Sequence, residues 1–352
     1  MKRVGYWINL ARNKTPNLED QKELFRNAGI ELVRLDIDQP LTEQGPFDLI
    51  LHKCNGLLVA AEAGDSTAER QINNIKDYIK ENPSCILVDK FEHIQPLLNR
   101  HYQYQLVHDP LLNSGYNVFV PSFVNLTTAD KESNMLVQKL REANVTYPFV
   151  CKPIVAQGND DSHLMSIIFD ENGVKDIKTP CVAQSFINHD SVLYKVYIVG
   201  DKPFIVEKPS VKNLSATGQD TIKFDASKLT RLNSLTTGWV EDGRATPDQD
   251  RIKEICLIIQ EQIKMDLFGI DVIVDCENGR HAVIDINAFP GYESVNNFGE
   301  VLCNHLMNLM SCVETVSGDT IQYYDAEKAG PNETTSIQLC NEHCMVHTYQ
   351  SI

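Results

Sequence analysis

Residues 268–293 read Phe-Gly-Ile-Asp-Val-Ile-Val-Asp-Cys-Glu-Asn-Gly-Arg-His-Ala-Val-Ile-Asp-Ile-Asn-Ala-Phe-Pro-Gly-Tyr-Glu. Two apolar runs flank Asn278-Gly279, the strongest short-range signal for a β-hairpin. Each run carries side chains that a core strand does not need: Asp271 on the first, Asp285 and Asn287 on the second. A three-residue loop over 277–279, with Gly279 left-handed, sets Asp271 directly opposite Asp285. Asn287 then shares their face, because strand side chains repeat every second residue. A two-residue turn would shift the register by one and send the two aspartates to opposite faces. Two carboxylates and an amide carbonyl on one face suit a hard, oxygen-preferring cation such as Mg²⁺ bound to phosphates. The plain alternative is a set of solvated positions on an ordinary half-exposed hairpin. Local composition weighs against it: Asp271 sits between Ile270 and Val272, and Asp285 between Ile284 and Ile286. The exit through Ala288-Phe289-Pro290-Gly291-Tyr292 can also bring backbone N–H groups to an anion.

The chain has 352 residues, 42% hydrophobic and 23% charged, enough to bury a sizeable core in two or three domains. No apolar run approaches the roughly 18 residues of a membrane span. The stretch Val4–Asn9 after Met1-Lys2-Arg3 is too short for a signal peptide, and Arg12 and Lys14 follow with no small-residue cleavage site. It reads as a first strand. Ten cysteines stand singly beside apolar residues, the usage of small hydrophobes in a reducing compartment, so a cytoplasmic protein without a disulfide framework is expected. Cys340, His343, Cys344 and His347 have spacings a zinc site could use, but their polar surroundings give a closed site no hydrophobic frame. The net charge of −16 argues against nucleic acid or an anionic membrane as the main partner. An anionic small ligand would need a locally basic pocket.

Residues 1–92 alternate strand-like and helix-like patterns: strands at 3–9, 30–36, 47–53 and 85–88, helices at 18–28 (closing at Gly29) and 67–80. Such βαβ alternation predicts a small Rossmann-like parallel sheet, though no Gly-x-Gly-x-x-Gly accompanies it. A helix over 94–109 leads to strands at 147–152, 164–169, 182–187, 193–199 and 204–206, with a turn at Asn172-Gly173. Thr246-Pro247-Asp248-Gln249 reads as a helix start with Thr246 as cap, before a helix burying Ile252, Ile255, Cys256, Ile259 and Ile263. The expected fold is therefore mixed α/β and α+β. It has an N-terminal domain over 1–92 and a two-lobed domain over 93–314, with a central lobe near 110–202 and a C-terminal lobe near 203–314. A polar, disordered tail is expected over 315–352.

Lys53, Lys152, Lys195 and Lys208 lie on these strands or at their ends. A half-buried lysine needs an anion, and phosphate oxygens would serve; edge-strand lysines that block aggregation are the alternative. Ala156-Gln157-Gly158-Asn159-Asp160-Asp161-Ser162-His163 is a polar loop between two strands, suited to a mobile flap over phosphates. It is no Walker loop, and no Gly-x-Ser-x-Gly elbow or His-Glu-x-x-His helix is present.

A lysine before a flexible loop, a second lysine beyond a strand–linker–strand, and a late Asp…Asp-x-Asn strand pair together resemble the ATP-grasp superfamily. The longer motifs are more specific. Lys2-Arg3-Val4-Gly5-Tyr6-Trp7, Glu43-Gln44-Gly45-Pro46, His52-Lys53, Gln184–His189, Leu193–Val196, Lys208-Pro209-Ser210 with Lys212-Asn213, and 268–293 all resemble the inositol-tetrakisphosphate 1-kinase family, also called inositol 1,3,4-trisphosphate 5/6-kinases, over residues 2 to about 310. The resemblance implies a two-lobed ATP-grasp fold behind the Rossmann-like domain. It also implies ATP as co-substrate, two Mg²⁺ ions and an inositol tris- or tetrakisphosphate acceptor; separately, no nucleic-acid partner and a monomeric chain are expected. Matching positions put Arg100 and Lys152 on the ATP phosphates and Gln184–Ile187 along the adenine. Lys195 lies between nucleotide and acceptor, and Ser210 and Ser227 complete the nucleotide site. Asp271, Asp285 and Asn287 would bind the metals. Arg12, Lys53, His163, Lys195, Asn287 and Gly291 would contact the acceptor. The flap reads Ala-Gln-Gly where relatives have Ala-His-Gly, which leaves His163 as its histidine. Lys195, His163 and Asp285 would then serve an in-line phosphoryl transfer governed by position and electrostatics, with His163 the one candidate general base. Return of phosphate to ADP would give isomerase activity. A carboxylate–amine ligase, which usually has Glu where Asp285 stands, and a non-catalytic inositol-phosphate-binding protein are the alternatives.

Overall fold

In the computed structural model, which describes residues 1–8, 17–130, 132–158, 161–215, 219–230, 235–236 and 247–318, the strands fall into three sheets. The first contains β1 (Lys2–Ile8), β2 (Ile30–Arg34), β3 (Leu49–Lys53) and β4 (Ile86–Val88), all parallel, in the order β2-β1-β3-β4. Between them run α1 (Lys22–Asn27), α2 (Asn55–Glu62) and α3 (Ser66–Glu81). The expected βαβ alternation is present. Interior strand β3 buries Leu49 through His52, as a parallel strand covered on both faces does. α3 starts at Asp65, whose carboxylate accepts from the Thr67 and Ala68 N–H groups and satisfies donors the helix leaves open. The helix expected over 18–28 divides into a 3-10 turn, Leu18–Gln21, and α1. α2 has no counterpart in the sequence reading, because Asn55-Gly56 at its start carries a turn signal.

The helix expected over 94–109 is likewise interrupted. α4 (Phe91–Ile94) passes into a 3-10 turn containing Pro96, and α5 (Arg100–Asn113) restarts at Asn99, whose side chain accepts from His101 and Tyr102 N–H. Beyond it come β5 (Val118–Phe119), β6 (Phe123–Leu126), α6 (Ser133–Glu142), β7 (Phe149–Pro153), β8 (Leu164–Ile168) and β9 (Cys181–Ser185). The chain continues through β10 (Val192–Val199), β11 (Lys202–Pro209), β12 (Ile222–Asp225), α7 (Gln249–Ile263), β13 (Leu267–Val274), β14 (His281–Ala288) and α8 (Phe298–Gly318). These strands build two largely antiparallel sheets, β12-β8-β7-β9-β6 and β11-β10-β13-β14-β5. The fold is thus α/β and α+β.

Two local readings are corrected. Asn172-Gly173 lies inside a 3-10 segment, Glu171–Asp176, capped by Asp170. α7 is capped by Asp248, which accepts from Asp250 and Arg251 N–H; Thr246 lies outside the described residues. A carboxylate two residues nearer the first open N–H groups takes the cap.

α5 and α7 cover one face of the β10–β13–β14 sheet, packing Tyr104, Val107, Ile255 and Ile259 with Val196, Ile270, Val272 and Ile286. On the opposite face Tyr197, Val199, Leu267 and Tyr292 join β1 and α8 in a second core. The polar stretch of this second face is where the site forms. Cys54, Cys85, Cys151, Cys181, Cys256, Cys276 and Cys303 are free thiols, and Cys276 alone among these is exposed. No described helix is long and apolar enough to cross a membrane. The segment 319–352, with Cys340, His343, Cys344 and His347, lies outside the described residues.

Candidate active site

Asp271 pairs with Asp285 across β13 and β14, and Gly269 with Asn287, so both aspartates share a face. The route differs from the expected one. Next to the turn, Val274 pairs with His281 and Val272 with Val283, and the register shifts between Asp271 and Val272. The connection is longer than three residues: Asp275 N–H donates to Arg280 O and Gly279 N–H to Asp275 O, with Gly279 left-handed at φ +71°. A bulge at Ile284 then restores the pairing that the turn alone would have lost. Bulges re-aim side chains next to active sites, and here one residue decides whether the two aspartates meet.

The bulge also turns the Ile284 carbonyl out of the ladder. It accepts from Tyr104 Oη at 2.7 Å and from Lys152 Nζ at 2.7 Å. Lys152 further donates to Tyr104 Oη (2.9 Å) and Gln184 Oε1 (2.8 Å). Lys152 belongs to β7 and Gln184 to β9, so this ammonium ties one antiparallel sheet to the other. β7 lies between β8 and β9, and β10 between β11 and β13, so Lys152 and Lys195 are not edge-strand lysines. Burial pulls the Lys152 pKa down to about 8, with Asp285 the chief opposing influence. Arg100, almost fully buried, donates from Nη1 to Pro153 O (2.6 Å) and sets Nε 3.5 Å from Asp285 Oδ1.

Lys195 pairs with Asp271 at 3.2 Å. Burial alone would lower the Lys195 pKa, but Asp271, helped by Tyr197 and Asp285, outweighs it and the pKa is raised. Burial raises the Asp271 pKa, Lys195 opposes it, and the Asp285 charge raises it further. Asp271 Oδ1 and Asp285 Oδ1 are buried and accept no well-formed hydrogen bond, each having only a cation beside it, Lys195 Nζ at 3.2 Å and Arg100 Nε at 3.5 Å; Gln184 Nε2 and Asn287 Nδ2 also donate to nothing among the described residues. Such a concentration of unsatisfied polar atoms costs stability unless a ligand completes it. Two facing carboxylates whose buried oxygens are matched only by loose ion pairs fit a divalent cation. No cluster of three or more His, Cys, Asp or Glu forms among the described residues, so the remaining coordination positions would fall to the Asn287 carbonyl, phosphate and water, the habit of Mg²⁺.

The N-terminal sheet reaches the same hairpin. Lys53, at the end of β3, donates to Pro290 O at 3.2 Å, and its ammonium lies 5.3 Å from the Phe289 ring centroid. Asn55 donates to Ala288 O at 2.7 Å. Asp89, buried, accepts from the N–H groups of Asp266 (2.7 Å) and Leu267 (3.1 Å), at the start of β13. The flap's first residues are docked here. With its amide turned to match both groups, Gln157 accepts from Ala288 N–H (2.8 Å) and donates to Ala288 O (3.0 Å). Gly158 has φ +94° and backs onto Gly56 and Val59. His163 is exposed, at the end of a 3-10 turn entering β8.

Among the expected nucleotide residues, Gln184 is buried and spends its side-chain oxygen on Lys152. The Ile187 carbonyl accepts from His189 Nδ1 at 2.6 Å. With that proton fixed, His189 Nε2 accepts from Ser210 Oγ at 2.7 Å; burial lowers the His189 pKa and keeps the ring neutral. Ser227 is exposed and donates to Asp225 Oδ1 at 2.6 Å, just past the pairing of Asp225 with Leu164. Gly291 follows Pro290 in the loop that Lys53 holds. Arg12 lies outside the described residues. A cavity of about 890 Å³ lined by Val59, Glu92, Leu98, Tyr102 and Val155 holds none of these side chains.

Sequence reasoning missed Tyr104, Asn55 and Asp89. Arg100 and Tyr104 carried a signal, since residues four apart on a helix share a face. The other two act across more than 170 positions of sequence.

The inositol 1,3,4-trisphosphate 5/6-kinase pre-ATP-grasp domain matches residues 3–94 and the ATP-grasp domain of the same family matches residues 113–308. Inositol-tetrakisphosphate 1-kinase of Danio rerio is 37% identical over 88% of this chain and 79% of its own; that of Xenopus laevis is 37% identical with the same coverage. Among solved structures, a Chryseobacterium gregarium RiPP-associated ATP-grasp ligase superposes with a TM-score of 0.56 at 15% identity, over 88% of this chain and 97% of the other. That likeness speaks for the fold alone. The chain belongs to the inositol 1,3,4-trisphosphate 5/6-kinase family and is a kinase built on the ATP-grasp fold.

Proposed function

We propose that the protein transfers the γ-phosphate of ATP, with Mg²⁺, to a ring hydroxyl of an inositol tris- or tetrakisphosphate, and returns phosphate to ADP when product is bound. One observation carries this reading: Asp271 and Asp285 share one face of the hairpin with Lys195 and Arg100 against them and Lys152 on the Ile284 carbonyl beside them, while Lys53 of the N-terminal sheet holds the loop that leaves the hairpin. Residues 1–92 then supply acceptor contacts, and 93–314 the nucleotide site.

Asp271, Asp285 and the Asn287 carbonyl would hold two Mg²⁺ ions, which when bound neutralise charge on the transferring group. The protein's own part is to position. Lys152 and Arg100 hold donor phosphates, while Lys195 balances Asp271 and reaches toward the acceptor. Lys53 and Gly291 border the acceptor pocket, and Ser210 and Ser227 border the nucleotide. Arg12 and His163 belong to the acceptor side, with His163 the candidate to take the hydroxyl proton. Transfer through a loose transition state needs little covalent help from the protein, so alignment supplies most of the acceleration.

The test is label transfer from γ-labelled ATP-Mg to a panel of inositol tris- and tetrakisphosphates, beside a panel of carboxylate–amine pairs. Label on an inositol phosphate is expected, and label returned to added ADP measures the reverse reaction. Phosphate released only with a carboxylate–amine pair would replace the reading with a ligase, and silence in both panels with a binding protein.

A further inference from the structure

Lys208 holds the end of the 290–294 loop away from Lys53. It lies on β11, the edge strand of its sheet, opposite Leu193, while Val206 lies opposite Lys195 and Lys195 opposite Asp271. Paired residues share a face and alternation preserves it, so Lys208 is on the face of Lys195, Asp271 and Asp285. Its ammonium does not extend along the open edge as a lysine guarding an edge would. It is half-buried and donates to Ser294 Oγ at 2.9 Å. Among the described residues no carboxylate pairs with it. Lys53 holds Pro290 O at the other end of the same short segment, 290–294. Two half-buried lysines, 53 and 208, thus hold the two ends of one short loop, and Lys195, on the face of Lys208, is already matched by Asp271. Among the described residues, Lys208 is the one of the three held only by a neutral side-chain hydroxyl.

We propose that Lys208 is a further acceptor-binding residue: a ring phosphate of the inositol polyphosphate replaces the Ser294 hydroxyl at its ammonium. This rests on the kinase reading above. A neutral hydroxyl is a weak partner for a partly desolvated ammonium, and a phosphate oxygen makes a shorter, charge-assisted bond. Lys195 and Lys208 then hold different phosphates of one ring, and Lys208 discriminates acceptors by phosphate number and position without touching ATP.

The test is steady-state kinetics at saturating ATP-Mg with inositol tris- and tetrakisphosphates, for the native chain and the Lys208→Met, Lys208→Arg and Ser294→Ala variants. Calorimetry of ADP-Mg binding accompanies it. Lys208→Met should raise the acceptor KM roughly 10- to 100-fold, the span of one charge-assisted hydrogen bond, with ADP affinity unchanged. Lys208→Arg should recover most of the loss, and Ser294→Ala should leave the acceptor KM where it was. If Ser294→Ala reproduces the Lys208→Met defect, the lysine is only a staple for the loop and the proposal is overturned. A native acceptor KM in Lys208→Met overturns it too. Absence of transfer to any inositol phosphate by the native chain would instead overturn the kinase reading, and this proposal with it.

Discussion

Lys152 and Lys195 stand on interior strands of the two antiparallel sheets, and their surroundings set opposite electrostatics. Lys152 is held by three neutral oxygens, of Tyr104, Gln184 and Ile284, and burial drives its pKa down to about 8. Lys195 faces the carboxylate of Asp271, and its pKa goes up. A buried ammonium without a counter-charge awaits an anion; one already paired serves chiefly to hold its partner ionised. The first is therefore suited to donor phosphates; the second keeps Asp271 ready for a cation and has its remaining N–H groups for an acceptor phosphate. The same contrast separates the buried carboxylates. Asp89 has an N–H donor on each oxygen and is structural, whereas Asp271 and Asp285 each keep a buried oxygen that accepts no hydrogen bond.

The largest effect should come from Asp285→Asn. It removes a metal-binding charge and, at several kcal/mol of transition-state stabilisation, should cut kcat by roughly 10³-fold or more. It also relieves repulsion with Asp271 and leaves Arg100 an oxygen, so the melting temperature should hold or rise. Alanine there would strand the buried Arg100 guanidinium and mix the two effects. A kcat near that of the native chain would remove the hairpin carboxylates from the chemistry.

Lys152→Met comes next, with a fall in kcat/KM for ATP of roughly 10- to 100-fold and little change in acceptor KM. Without mutation, pH sharpens the same point. Above about 8 the folded chain has released a proton that an unfolded lysine still holds. Stability of the ligand-free protein should therefore rise with pH from there toward the ordinary lysine range. ATP affinity should fall over the same interval as the ammonium is lost. Calorimetry and thermal melts across that window would show whether the two curves run in opposite directions; parallel curves would contradict the assignment.

Asp89→Asn tests the structural carboxylate. It sets an amide NH₂ against a backbone N–H, so unfolding free energy should drop about 1–3 kcal/mol in urea titration, without the kcat collapse of Asp285→Asn. The smallest effect belongs to His52, buried, donating from Nε2 to the Asp89 carbonyl at 2.8 Å. Burial depresses its pKa to about 4, so between the ordinary histidine value and that point the unfolded chain binds the extra proton. Stability should fall as pH drops through this window, by at most about 1.4 kcal/mol per pH unit. His52→Gln should flatten that limb of the stability curve.

The sequence carried the two-period alternation of 268–293, the βαβ rhythm of 1–92 and the residue types of the site. These are local: strand alternation, turn chemistry and an apolar frame around Asp271 and Asp285 can be read within a dozen residues. Even there the turn was read too short, and the pairing of the aspartates came out right only because the bulge at Ile284 compensates. Helix starts at Asp248 and Asn99 shifted by a few residues for the same reason, since competing caps are decided by backbone geometry.

What the tertiary structure decided is who meets whom. Tyr104 and Lys152 share the carbonyl that the bulge exposes, Arg100 comes against Asp285, and Lys53, Asn55 and Asp89 grip the far end of the hairpin. Lys208 finds Ser294 across 86 positions. None of these pairs has a periodicity to announce it, because each joins elements brought together by core packing far along the chain. Composition and spacing specify which groups a strand or helix presents to a face; only packing fixes which charges are compensated there and which are left for a ligand.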